Sequence, residues 1–426
     1  MIVQSKSQLT AFGGLRLVNK HLQSFGVKEF INKVFGNRGK GANYSYSDII
    51  LTQAYTVFCG GSSIENVNYI REECLNYLPG ISVPSADTIL RSNKELSVPC
   101  SFIETKSNNE NKINVNTKMN DILIDSAIKF KQIIPEDTSL IYDFDHQFIP
   151  TEKYDATYSY KKRKGYFPGV ATISNIPVYV EGRNGNCNVK MNQLSTHKSV
   201  LEALFEKGIK PKYARMDCGS YIKEVTGYFQ EERILFSIRA SSSETLLLSA
   251  DNCDHWEMCR INNQDLEVSS FKYIFGKHEH RIVIYRTITN KGQLSAFTKD
   301  AKKYMFLITN DKVISNEEAI RFYNNRGNSE RVFDIQNNDF DWKKMPHSSL
   351  EENTVFLIIR AIIHIMYRWL VALFSSVVEG LEKESRIKKF TFRVINIVAK
   401  FTTSGRQQIM HLSTSNLRLL HLSHQT

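Results

Sequence analysis

The sequence predicts a mixed α/β protein: a helical N-terminal region, then a mixed sheet with crossing helices, interrupted by a β-rich segment. Three observations carry this. Residues 1–103 show helical patterning with helix-cap signals. From residue 138 the apolar period changes to the alternation of strands, with helical stretches between them. Residues 243–300 then offer short strands separated by Asn and Gly turns. A chain of 426 residues exceeds one ordinary core, so two or three domains are expected.

The elements follow in order. "YSYSDIILTQAYTVFCGG" reads as a helix with a Ser/Asp start, stopped at Gly60-Gly61. "VPSADTILRSNKEL" starts another, with Ser85 as N-cap and with Arg91 and Asn93 expected on its exposed side. The Asn-rich stretch 104–118 reads as a linker or exposed loop. "SLIYDFDHQFIP" alternates, with Tyr142, Phe144 and His146 on one face and Asp143, Asp145 and Gln147 on the other. "VATISNIPVYVEGR" reads as a hairpin, 196–208 as a helix, and "KYARMDCGSY" as a short strand ending in a turn. The helix "IKEVTGYFQ" and the strand "RILFSIRA" follow, and "YMFLITN" resumes a buried strand after the β-rich segment. "SNEEAIRFYNNRGNSERVF" opens on a capping box, Ser315 with Glu318, and reads as one helix. The expected organisation is therefore a helical DNA-binding region and linker over 1–118, a core in two parts over 119–242 and 301–400, a β-rich insertion over 243–300, and a basic tail over 401–426.

Composition narrows the class. Hydrophobic residues make up 42% and charged residues 23%, a globular balance. Lys and Arg number 55 against 44 Asp and Glu, a net charge of +11 that favours an anionic partner, nucleic acid ahead of membrane. The seven cysteines include no CxxC pair, and Cys253, His255 and Cys259 fit no standard zinc spacing, so free thiols in a reducing cytoplasm are expected. No secretory signal opens the sequence. The apolar run 355–378 carries Arg360, His364 and Arg368 at every fourth position, which favours a helix buried on most sides over a membrane span.

The chemistry is carried by carboxylates. Asp143 and Asp145 lie in "YDFDHQF", and Asp217 ends the apolar run of "ARMDCGSY". Strand ends of an α/β sheet are where such sites form. A third carboxylate, Glu330, shares a helix face with Tyr323 and Arg326 in "YNNRGNSERVF", at offsets of three and four. Three converging carboxylates can hold two Mg²⁺ ions, which suit in-line phosphoryl displacement. The bland alternatives are turn-capping aspartates and a surface Arg326–Glu330 pair worth about 0.3–0.5 kcal/mol.

These residues resemble a known family. The sequence is similar to the DDE transposases of bacterial insertion sequences, and within them to the insertion-sequence family numbered thirteen-eighty. The likeness covers roughly 10–415 and is strongest at three blocks. "YDFDHQFIP" resembles the strand ending in the first catalytic Asp. It assigns Asp145, with Gln147 where Thr is usual, and leaves Asp143 as the competing choice. "YARMDCGSY" assigns Asp217. Tyr323, Arg326 and Glu330 match the wider signature Tyr, two residues, Arg, three residues, Glu, six residues, Lys, but its last position here is Asn337. Arg331 and Lys343 are the candidates to replace that Lys. The gaps agree: 72 positions (217 − 145), then 113 (330 − 217), the second holding the β-rich segment as in relatives with a β-strand insertion.

The resemblance implies a ribonuclease-H-like core, with Asp145, Asp217 and Glu330 as catalytic metal ligands for Mg²⁺, for which Mn²⁺ can substitute. It implies double-stranded DNA as partner, both terminal inverted repeats and target, a homodimer on that DNA, and a bacterial cytoplasmic, nucleoid-associated protein with no membrane. Tyr323 and Arg326 would contact phosphates near the cleavage point. The densest basic run, Lys161, Lys162, Arg163 and Lys164 among Tyr158, Tyr160 and Tyr166, reads either as a DNA contact or as a solvated hairpin tip. The later basic residues Arg386, Lys388, Lys389, Arg393, Lys400 and Arg406 lean to the DNA side. Two rivals remain at this level: a nuclease on the same core without strand transfer, and a catalytically inactive DNA-binding derivative.

Overall fold

The computed structural model describes residues 9–104, 110–288, 302–404 and 407–413. Helices span Leu15–Ser24, Val27–Phe35, Tyr46–Phe58, Asn66–Glu73 and Ala86–Leu96. The third starts at a reciprocal cap. The Ser45 hydroxyl accepts from the Asp48 backbone N–H, and the Asp48 carboxylate accepts from that of Ser45. It stops where Gly60 takes a φ of +86°, a left-handed conformation open to glycine. Ser85 caps the fifth, accepting from the Thr88 N–H at 3.3 Å. One expectation fails there. Asn93 is buried, its amide 3.0 Å from the His347 ring, and the residue that covers it comes 254 positions later, beyond the reach of local periodicity.

Eleven strands form one sheet. In chain order they are β1 (Ser101–Glu104), β2 (Glu110–Asn114), β3 (Ile141–His146), β4 (Gly169–Ile173), β5 (Ile176–Arg183), β6 (Tyr213–Met216), β7 (Leu235–Ala240), β8 (Glu257–Ile261), β9 (Gln264–Phe275), β10 (His278–Ile288) and β11 (Lys302–Thr309). Their order across the sheet is β8-β9-β10-β11-β7-β6-β3-β4-β5-β2-β1. β3, β6 and β7 run parallel, and all other pairings are antiparallel. The β4–β5 hairpin turns on Ser174 and Asn175, with φ of +49° and +71°, the sense that matches strand twist in a two-residue loop.

One further expectation is corrected. Residues 110–118 of the Asn-rich stretch are no linker: they contribute β2 and the start of the helix Thr117–Lys129, while 105–109 lie outside the described residues. Its amides serve the backbone. Asn114 donates to the Val98 carbonyl at 2.7 Å. Asn116 donates to that of Leu96 at 2.8 Å and caps the helix by accepting from the Met119 N–H at 3.1 Å. The β-rich segment joins the central sheet. β8, β9 and β10 extend the central one through β11, which pairs with both β10 and β7. Its last part, 289–300, lies outside the described residues.

The helix Leu350–Ser375 is long and apolar enough, by length and composition, to cross a membrane, but 83% of its most apolar window is buried inside the fold. Its aromatic side chains meet the N-terminal helices: Trp369 stacks on Phe25 at 4.4 Å, and Tyr367 lies 6.4 Å from Phe58. Its first turn lies so close to β5 that a Cβ on Gly182 would sit 2.1 Å from the Thr354 hydroxyl oxygen. Of its expected polar stripe, Arg360 and His364 are buried, and the His364 ring meets the Gln336 amide at 2.9 Å. One apolar core thus runs from Leu15 through the sheet to Ile397. Of the basic tail, Ala399–Ser404 and Gln407–Leu412 form a hairpin against Leu9–Thr10, whereas Arg406 and 414–426 lie outside the described residues.

Candidate active site

β3 carries two opposite chemistries on its two faces. Tyr142 and Phe144 pack against His197 and Phe229, from the helices Gln193–Glu206 and Lys223–Glu231, and the Tyr142 hydroxyl meets His197 Nδ1 at 2.8 Å. Asp143 and Asp145 face the other way. Asp143 is gripped by Arg215, its register partner on β6, through Nε–Oδ1 at 2.8 Å and Nη2–Oδ2 at 2.7 Å. Both side chains are buried, and Arg215 Nη1 also donates to the Phe322 carbonyl at 3.2 Å. Asp143, the competing first carboxylate, is therefore committed to a bidentate internal pair.

Asp145 and Asp217 stand at the carboxyl ends of adjacent parallel strands. Asp217 follows β6 directly and caps the 3₁₀ turn Cys218–Ser220, accepting from the Gly219 N–H at 2.9 Å. Burial pushes the Asp145 carboxyl up to about 6; the Asp217 charge pushes the same way and Arg326 opposes both. Arg326 Nη1 lies 2.8 Å from Asp145 Oδ2, both side chains less than one-fifth exposed. Burial works against the Arg326 charge, but Tyr323, Asp145 and Asp217 together hold its pKa above the ordinary guanidinium value. The Tyr323 ring, itself buried, is 5.7 Å from that guanidinium.

Glu330 does not join them. The predicted single helix begins as expected, with the Ser315–Glu318 capping box, but breaks into Asn316–Asn324, a 3₁₀ segment Asn325–Gly327, and Asn328–Asp339. Three residues at about 120° each, instead of about 100°, turn the following face by roughly 60°. Val332 and Phe333 consequently line a narrow cleft with Asp143, Asp145, Val170 and Thr172, and Gln336 is buried behind them. Glu330 is left exposed. Among the described residues, no three His, Cys, Asp or Glu side chains gather closely enough to hold a metal ion. Asn337, where the signature has Lys, has a buried carbonyl oxygen without a partner, and Arg331 and Lys343 are exposed.

The structure thus brings together Asp145, Asp217, Tyr323 and Arg326. Sequence reasoning missed Arg215 as the partner of Asp143. The signal was present: "DFD" and "RMD" each place a charge two residues before the candidate Asp, so parallel neighbours in register must pair them.

The basic run sits beside this edge. Ile149–Pro150, Thr157–Tyr158 and Lys164–Tyr166 form a small sheet whose first strand starts four residues after Asp145. Rings connect the two places: His146 stacks on Phe167 at 5.7 Å, and Phe167 meets the Tyr160 ring at 6.1 Å. Lys161, Lys162 and Arg163 are exposed, as are Tyr158 and Tyr160, whereas Tyr166 is core. Among the described residues none of Lys161, Lys162, Arg163 and Lys164 forms an ion pair. Arg386, by contrast, is held by Asp334 at 2.6 Å and by Asp339. A cavity of about 730 Å³ lies at the opposite ends of the parallel strands, against Ile141, Tyr213 and Leu235, away from the two carboxylates.

The family described as Transposase DDE domain group 1 matches residues 4–421. The chain belongs to this DDE transposase family. Among curated proteins none matches. A solved structure, the cryo-EM structure of the piggyBac transposase synaptic complex with hairpin DNA, is similar with a TM-score of 0.43 and 12% identity, over 89% of this chain and 79% of that one.

Proposed function

We propose that this DDE transposase catalyses cut-and-paste transposition of a bacterial insertion sequence, of the family numbered thirteen-eighty. It cleaves DNA at the element's terminal inverted repeats and joins the freed 3′-hydroxyl to target DNA. The observation that carries the reading is the approach of Asp145 and Asp217 at the ends of adjacent parallel strands, with Arg326 and Tyr323 against them. The order β5-β4-β3-β6-β7, with only β3, β6 and β7 parallel, supports a ribonuclease-H-like core beneath them.

Asp145, Asp217 and Glu330 are the proposed catalytic carboxylates. Mg²⁺, for which Mn²⁺ can substitute, is the cofactor this chemistry asks for, a pair of such ions stabilising the attacking and leaving oxygens of an in-line displacement. In the arrangement described the donor set is incomplete, since Asp145 is engaged by Arg326 and Glu330 is exposed. The chain's other groups have separate work. Arg326 and Tyr323 meet phosphate oxygens near the scissile bond. Lys161, Lys162, Arg163 and Lys164 follow the backbone, while exposed Tyr158 and Tyr160 offer ring faces to unpaired bases at a cut end. A homodimer acting on duplex DNA at the bacterial nucleoid completes the reading.

The exposed Glu330 favours one second reading, a DNA-binding derivative that no longer cleaves. An oligonucleotide assay separates them. Duplexes carrying the ends that flank the gene, incubated with Mg²⁺ and target DNA, give nicked and joined products with the wild type and neither with Asp217→Asn. DNA binding without either product supports the second reading.

A further inference from the structure

A set of three carboxylates is what the proposed chemistry needs, yet a cation of the protein's own already stands against two of them. Arg326 Nη1 is 2.8 Å from Asp145 Oδ2, and the Asp217 charge acts on the same guanidinium. The pairing is incomplete on the arginine side: Arg326 Nε is buried with no hydrogen-bond partner, and only one nitrogen reaches Asp145. Arg215 on Asp143 makes two contacts from within the sheet, so a fixed pair looks different in the same molecule. Arg326 also rides on the 3₁₀ segment Asn325–Gly327 that turns Glu330 aside. Short 3₁₀ stretches inside helices are recurrent hinge points. The segment itself is uncrowded, since a Cβ on Gly327 would have no neighbour within 4 Å. Regaining α geometry there would undo roughly 60° of rotation and return Glu330 to the face of Tyr323 and Arg326.

We propose that Arg326 is a placeholder for the divalent cation: it occupies the position between Asp145 and Asp217 in the DNA-free chain, and metal binding requires its release to a DNA phosphate. This rests on the transposase reading above. The two are linked through one segment. A phosphate offers the guanidinium a bidentate partner that Asp145 does not give it. Its departure frees the Asp145 carboxylate and removes a contact that ties the 3₁₀ segment to β3. Arg326 is thus a positioning residue for the metal and ties catalytic competence to DNA occupancy, which protects a cell from cutting by unbound enzyme.

The test is Mn²⁺ binding to the full chain, read by titration calorimetry and by the paramagnetic resonance signal of free Mn²⁺. Asp145→Asn/Asp217→Asn sets the background. Wild type is expected to bind Mn²⁺ weakly alone and at least ten times more tightly with a saturating 20-base-pair duplex. Arg326→Gln is expected to bind at least ten times more tightly than wild type without DNA and to gain little from the duplex. Arg326→Lys, which keeps the charge, stays within about threefold of wild type. Equal or weaker Mn²⁺ binding by folded Arg326→Gln overturns the placeholder while leaving the transposase reading intact. Should that variant fail to fold, a wild-type affinity unchanged by the duplex overturns it equally. No Mn²⁺ binding by any variant, with or without DNA, overturns both.

Discussion

Two aspartates of one strand, two residues apart and on the same face, meet arginines in opposite ways. Asp143 is held by Arg215 through two hydrogen bonds between adjacent strands, with both side chains buried. Asp145 is held through one, by an arginine arriving from a 3₁₀ segment on another part of the chain. The first pair is anchored on a backbone ladder at both ends and is buried, with Arg215 also held by the Phe322 carbonyl. The second has partly exposed side chains and a 3₁₀ segment behind it. The difference teaches that the same carboxylate chemistry is a fold-fixing element at one position and an available site at the next, decided by what the partner is anchored to.

Breaking the pairs one at a time sharpens this contrast. Arg215→Ala strands a buried carboxylate and is expected to cost roughly 3–5 kcal/mol in urea denaturation. Arg326→Ala is expected to cost no more than about 1–2 kcal/mol, its pair being partly solvated. Equal costs would break the comparison. Next in size, Asp217→Asn is expected to lower DNA cleavage by roughly 10²–10³-fold while the urea midpoint stays close to wild type.

Asp145 itself supplies a pH test. Its folded carboxyl is raised from 3.8 to about 6, so the stability it contributes is present below about pH 4 and is lost as pH rises through 6. Asp145→Asn lacks this loss. Its stability relative to wild type is expected to climb by roughly 2–3 kcal/mol between pH 3 and pH 7. A flat difference would place Asp145 in an ordinary solvated environment. The smallest effect belongs to the basic tip. Lys162→Ala is expected to weaken DNA binding evenly across sequences and to reduce the salt slope by about 0.9 if it removes one phosphate contact.

Much of this was legible in the sequence because it depends on short-range rules. The Ser45 and Ser315 caps, the Ser174-Asn175 hairpin and the alternation around Phe144 all follow from residues within a few positions of one another. The failures share a different cause. Asn93 reads as exposed until His347 covers it, and Asn114 and Asn116 read as linker until their amides find Val98 and Leu96. Polar residues that satisfy backbone or distant side chains look identical to solvated ones in a sequence. For the candidate site, Asp145 and Asp217 were visible as strand ends, and Arg326 as their helical companion. The Glu330 face was lost to a three-residue change of helix type, Asn325–Gly327, which no periodicity count resolves.

The central claim is that Asp145 and Asp217 form a divalent-cation site that DNA completes. Fe²⁺ is also a divalent cation for carboxylate oxygens and, with ascorbate and peroxide, cuts the polypeptide beside the place where it is bound. Mapping those cuts on the full chain tests the claim most directly. The account predicts fragments ending near Asp145 and Asp217 that intensify when duplex DNA is added, joined then by cuts near Glu330, all competed away by Mg²⁺. Cuts elsewhere, or a pattern at 145 and 217 indifferent to both DNA and Mg²⁺, would contradict it.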